Sequence, residues 1–121
     1  DWASGQVQRA HTTFLKTLEL IVELGSYAFV HAGVRPGVAL DAQAEKDLLW
    51  IRGEFLDARA GFGKIIVHGH TPMAEAQATP NRIGVDTGAY ATGVLTAVRL
   101  QGEDCRFLQA KLSRAGTLSQ A

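Results

Sequence analysis

Cysteine is nearly missing from this chain: Cys105 is the single one in 121 residues. One thiol can build neither a disulfide framework nor an all-cysteine zinc site, and it mildly favours a reducing, cytoplasmic setting. Methionine is as scarce. Met73 stands alone and the sequence opens on Asp1, which sets the expectation of a processed or incomplete chain. An excess of either charge is missing too, because 12 Lys and Arg balance 12 Asp and Glu. A neutral chain gives no global electrostatic reason to expect nucleic acid or an anionic membrane as partner. No apolar run approaches the ~20 residues of a membrane helix, and no signal-peptide pattern is visible. Repeats and low-complexity tracts are absent, so residues 1–121 are read as one unit.

What is present is a series of short apolar runs separated by glycine and proline. His11 to Leu18 has the spacing of a short amphipathic helix, with His11 on its surface. Leu20 to Leu24 and Tyr27 to Val30 are strand candidates joined by Gly25-Ser26, a two-residue hairpin signal. The second runs into His31 and then a loop, Ala32-Gly33-Val34-Arg35-Pro36-Gly37, whose Arg35 is read as solvated. Asp41 is placed as N-cap of a helix from Ala42 to about Leu56, with Trp50 and Phe55 in the core. Arg82 to Asp86 is another short strand. Gly93 to Leu100 and Cys105 to Lys111 form a longer hairpin, and the polar tail from Ser113 is expected to fray.

The stretch with the most chemistry is Lys64-Ile65-Ile66-Val67-His68-Gly69-His70-Thr71-Pro72. Its β-branched run is too short for a helix and suits a covered strand. Side chains alternate along a strand, which would put His68 and His70 on one side, about 6.6 Å apart at ~3.3 Å per residue. Gly69 is read as allowing close approach to the backbone, and Pro72 ends the ladder. Two strand ends thus carry imidazoles, His31 on one and His68 with His70 on the other. Such groups at strand ends either ligate a metal in a crevice or stay as hydrogen-bonded structural residues. Two or three histidines alone make a thin zinc site.

Four blocks in order carry a resemblance. They are Phe29-Val30-His31-Ala32-Gly33-Val34-Arg35-Pro36-Gly37, Asp47-Leu48-Leu49-Trp50-Ile51-Arg52, Val67-His68-Gly69-His70-Thr71-Pro72 and Ile83-Gly84-Val85-Asp86-Thr87-Gly88-Ala89-Tyr90. Together they resemble the second half of a calcineurin-like metallophosphoesterase of the bacterial and phage serine/threonine phosphatase branch, over about residues 10–102. The resemblance implies an α/β fold, the C-terminal half of a two-sheet β-sandwich flanked by helices. It implies His31 and His70 as ligands of one metal and Arg52 as a clamp on substrate phosphate, a role suited to a planar guanidinium. It also implies Tyr90 in the pocket, Asp86 orienting a ligand imidazole, and His68 either supporting a ligand or facing phosphate. Two divalent ions about 3.5–4 Å apart would supply the chemistry. Manganese is the first choice, with iron or zinc as alternatives.

The family's first-half blocks, GDxHG, GDxxDRG and GNHE, are missing, and with them the other metal's ligands and the general acid. The expectation is therefore a C-terminal portion, inactive alone, that needs an N-terminal half as partner. Its parent would act on a phosphoprotein or cleave a nucleotide phosphoanhydride such as diadenosine tetraphosphate. Two readings stand beside this one. Asp86-Thr87-Gly88 imitates an aspartic-protease block but lies too late in the chain for one. A non-catalytic α/β binding or assembly module would leave the histidines structural.

Overall fold

The computed structural model describes residues 9–11, 18–112 and 118–120. Strands β1 (Ile21–Leu24) and β2 (Tyr27–Val30) pair antiparallel, with Leu24 opposite Tyr27 across the Gly25-Ser26 turn. Gly25 takes φ 57° there, the left-handed geometry that tight hairpins require. β2 lies parallel to β3 (Ile65–His68), and β3 parallel to β5 (Arg82–Gly84). A two-residue β4 (Gln77–Ala78) closes the far edge, so the order is β1-β2-β3-β5-β4. The chain therefore ends β2, β3 and β5 on the same side of the sheet. Of the helix expected over 11–18, His11 is helical and exposed, and residues 12–17 lie outside the described residues.

The helix expected from Ala42 to Leu56 is two short helices, α1 (Glu45–Trp50) and α2 (Gly53–Leu56). Asp41 does not cap it, because Asp41 sits inside a 3-10 turn, Leu40–Ala42, and Ala44 precedes α1 with no side-chain cap. The break falls at Ile51, which turns extended at ψ 144° and buries its side chain. Gly53, a poor helix former, opens α2. Leu48, Ile51 and Phe55 then pack with Ala28, Ala32, Val34 and Ile66 as the core between helices and sheet. Trp50 does not join them: it is 67% exposed. Two residues beyond Leu48 is about 200° around a helix, so a buried Leu48 sends Trp50 outward.

The loop after β2 is held tightly against this core. A Cβ built on Gly33 would lie 2.3 Å from Cδ2 of Phe55, so glycine is required there by contact. Phe55 is fully buried and also meets Phe62 at 5.4 Å and the His68 ring edge-on at 4.8 Å.

After β5, a one-turn α3 (Ala89–Thr92) leads to the hairpin of β6 (Val94–Gln101) and β7 (Asp104–Leu112). The tail is not wholly frayed, since β8 (Leu118–Gln120) adds to β7 as a third strand. Tyr27 Oη donates to the Gly102 carbonyl at 2.9 Å, joining the two sheets at one end. Leu24, Tyr27, Phe29, Ile65 and Leu100 line a cleft of about 720 Å³ there. Cys105 is half-buried on β7, opposite Leu100. The outer face of the hairpin leaves Leu95 and Leu108 exposed, unusual for a solvent-facing sheet. No helix among the described residues is long and apolar enough to cross a membrane.

Candidate functional site

His31 leaves the end of β2 and His70 follows the end of β3, its neighbour in the sheet. The backbone ladder continues past both strands, since Gly69 N–H donates to the His31 carbonyl at 2.8 Å. This bond sets the two loops side by side. His31 Nε2 and His70 Nδ1 stand 3.2 Å apart, with ring centroids at 4.9 Å.

His70 reaches this position by an uncommon backbone route. Thr71 N–H donates to the Gly69 carbonyl at 2.7 Å, a three-residue γ-turn centred on His70. His70 has φ 67°, the one positive φ of a non-glycine residue among those described. Such strain persists only where surrounding structure holds it, and it clusters at functional sites. The ring's other nitrogen, Nε2, is buried without a hydrogen-bond partner. Burial, then the charges of Arg52 and His31, press the His70 pKa below its usual value, with Asp86 opposing. A ring nitrogen without a protein partner is what a metal ion requires of a histidine.

Trp50 stands edge-on to His70, ring centroids 5.6 Å apart. With Arg52 and Arg35 it lines an open cleft of about 1050 Å³. Arg35 is not a solvated loop residue. Its Nη2 and Nε donate to the two Asp47 oxygens at 2.7 and 3.2 Å, a bidentate pair fixing the loop after β2 to α1. Each partner holds the other charged, so the Arg35 pKa is raised and that of Asp47 lowered. Arg52 sits at the break between the helices, exposed and close enough for its charge to act on His70. Asp86 follows β5, and its Oδ1 accepts the Gly88 N–H at 2.9 Å.

Two expected members are elsewhere. His68 does not reach the site of His31 and His70: it is 2% exposed, inside the core, with its ring against Phe55. The strand stops at His68, so alternation no longer governs His70. Arg82 Nη1 donates to His68 Nε2 at 3.1 Å, which leaves the proton on Nδ1, 3.3 Å from the Gly69 carbonyl. Burial drives its pKa down to about 4. Tyr90 is 89% exposed on α3 and is not among the residues lining the cleft of Arg52 and Trp50. Gly69 is less critical than expected, since a Cβ there would meet nothing closer than 3.8 Å.

The arrangement thus gathers His31, His70, Trp50 and Arg52 at the ends of parallel strands, with Asp86 nearby. No family model and no curated protein matches the chain by sequence. Among solved structures, the crystal structure of a protein proposed to be a diadenosine tetraphosphatase matches with a TM-score of 0.70 at 20% identity. The likeness is one of fold. It covers 88% of this chain and 57% of the other, so this chain spans little more than half of that structure's length.

As a metal site the residues fit in part. Two imidazoles converge, one with a buried nitrogen that has no protein partner. No group of three or more His, Cys, Asp or Glu side chains able to hold an ion occurs among the described residues. Sequence reasoning missed the Arg35–Asp47 pair, which spans a loop and carries no local pattern. It also missed the exposure of Trp50, for which the two-residue offset from Leu48 was the available signal.

Proposed function

We propose that this chain belongs to a metal-dependent phosphoester hydrolase and contributes His31 and His70 as ligands to one of two divalent ions, manganese first. The observation that carries the reading is the 3.2 Å approach of His31 Nε2 to His70 Nδ1, made by a strained γ-turn. A bound ion pair would supply a water-derived nucleophile and neutralise charge growing on phosphorus. His31 and His70 offer imidazole nitrogens. Arg52 presents a guanidinium fork to phosphate oxygens, while Arg35 is occupied by Asp47. Asp86 steadies the His70 ring electrostatically, and Trp50 shields its edge.

The remaining ligands and the general acid belong to a further segment, in keeping with the 57% coverage of the structural neighbour. This chain alone is expected to bind Mn²⁺ weakly and to leave p-nitrophenyl phosphate intact. Titration with Mn²⁺, read by paramagnetic broadening of the imidazole NMR signals, tests the site directly. His31 and His70 should broaden first, and His31→Gln or His70→Gln should each weaken binding by at least ~10-fold, a supporting partner alone being worth that much. Broadening spread over surface carboxylates instead would overturn the assignment.

For the substrate, a phosphoserine or phosphothreonine protein is the first reading. The neighbour's description favours a dinucleoside polyphosphate as the second. Comparing phosphate release from a phosphoserine peptide and from diadenosine tetraphosphate, by the chain joined to its complementing segment, separates them.

A further inference from the structure

We propose that the outer face of the β6–β7 hairpin carries an anion site, in which Arg99 and Arg106 together clamp one singly charged oxyanion, a carboxylate or phosphodiester group. The strand register sets Arg99 directly opposite Arg106 and, two residues nearer the turn on the same face, Gln101 opposite Asp104. Both arginines are exposed, as are Leu95, Ala97 and Leu108 further along that face. Directly opposed residues have Cβ atoms about 5 Å apart, and like charges placed in this way repel. Among the described residues the ion pairs within 4.0 Å are those of Arg35, so no carboxylate neutralises Arg99 or Arg106. An anion seated between the two guanidinium forks relieves the repulsion and accepts charge-assisted hydrogen bonds from both.

Arg99, Gln101, Asp104 and Arg106 together line a cleft of about 220 Å³, room for a small oxyanion. Arg99 Nη2 donates to Gln101 Oε1 at 3.1 Å, which steadies that guanidinium along the face and leaves its other N–H groups for a ligand. Arg106 makes no hydrogen bond to another described residue, so its whole fork is available. The turn beside the cleft is anchored, because the Gly102 carbonyl accepts from Tyr27 Oη at 2.9 Å. Tyr27 begins β2 and His31 follows its end, so the arginine pair lies toward the end of the sheet away from the two histidines. Two cations against the Asp104 carboxylate leave a net charge of +1, which matches one negative charge and disfavours two. Nothing in this depends on the metal site.

The test is an NMR titration of the whole chain at pH 7.5 with sodium acetate or sodium dimethyl phosphate, against sodium chloride at equal ionic strength. The Nε–Hε signals of Arg99 and Arg106 should shift saturably with at least one probe in the millimolar range, while those of exposed Arg59 and the rings of His31 and His70 stay in place. Acetate alone identifies a carboxylate site, dimethyl phosphate alone a phosphodiester site, and both a general oxyanion site. Arg106→Gln, at an exposed position where it also removes the like-charge repulsion, should fold and weaken binding about threefold, followed at Arg99. Asp104→Asn should strengthen binding by a similar factor, because it removes the one negative charge lining the cleft. No saturable shift beyond the chloride control, an equal shift at Arg59, or an affinity unchanged in both variants would overturn the proposal.

Discussion

Phe55→Ala is expected to lower the unfolding free energy by about 3–5 kcal/mol, the largest effect of any single truncation in this fold. The ring is fully buried and touches three structures at once: the Gly33 loop, Phe62 and the His68 ring. Removing it leaves a cavity under the loop that carries His31. Gly33→Ala reaches the same contact from the other side, because its new Cβ would lie 2.3 Å from the ring. Overpacking of that kind costs about 1–3 kcal/mol. The two changes should not add: with the ring gone, Gly33→Ala loses its clash and keeps only the backbone strain of a side chain at φ 159°. Urea melts of the wild type, both single variants and the double variant measure this coupling. Strict additivity would mean that Gly33 and Phe55 do not meet as described.

Acidification from pH 7 to pH 4 is expected to remove about 3 kcal/mol through His68 alone, whose pKa falls from 6.5 to about 4 on folding. Burial is the main cause, and Arg82 adds to it. The direction follows from proton counting. Between these two values the unfolded chain takes up a proton at this ring and the folded chain does not, so acid favours unfolding. Stability from this group is level above pH 6.5 and declines through the window below it. His70, depressed by burial and by Arg52 and His31, steepens the decline. Asp47 acts further into acid, since its lowered pKa gives stability that is lost only beneath the ordinary carboxylate range. Melting curves at half-unit steps of pH, on wild type and His68→Gln, check the assignment. The slope between pH 6.5 and 4 should flatten in the variant, and an unchanged slope would assign the effect elsewhere.

Much of the framework was legible because it rests on local chemistry. Gly25-Ser26 and Gly102-Glu103 each mark a turn, and Ile65-Ile66-Val67 is too β-branched and too short to be anything but a covered strand. The meeting of His31 and His70 followed from the ordered blocks that resemble a known family. What sequence missed depended on contacts between distant segments. The helix over 42–56 breaks because burying Ile51 against the sheet outweighs helical continuity. His68 and His70 part company because a γ-turn, stabilised by the neighbouring loop, interrupts the alternation that strand geometry imposes. Arg35 finds Asp47 across a loop of 12 positions, and no short-range rule pairs them.

The parallel pairing of β2 with β3 also sets an order in time. The β1–β2 and β6–β7 hairpins close over two-residue turns and can form within microseconds. The two histidines are 39 positions apart, and they meet only after both helices and the intervening loops are placed. Pairing across such a separation is a late and slow event in folding. On the proposed ligation, Mn²⁺ capture by His31 and His70 in a stopped-flow refolding experiment should therefore trail the burst of far-ultraviolet ellipticity. Metal affinity then becomes a clock for the last stage of assembly, silent in every species that has its hairpins but not yet its crossover.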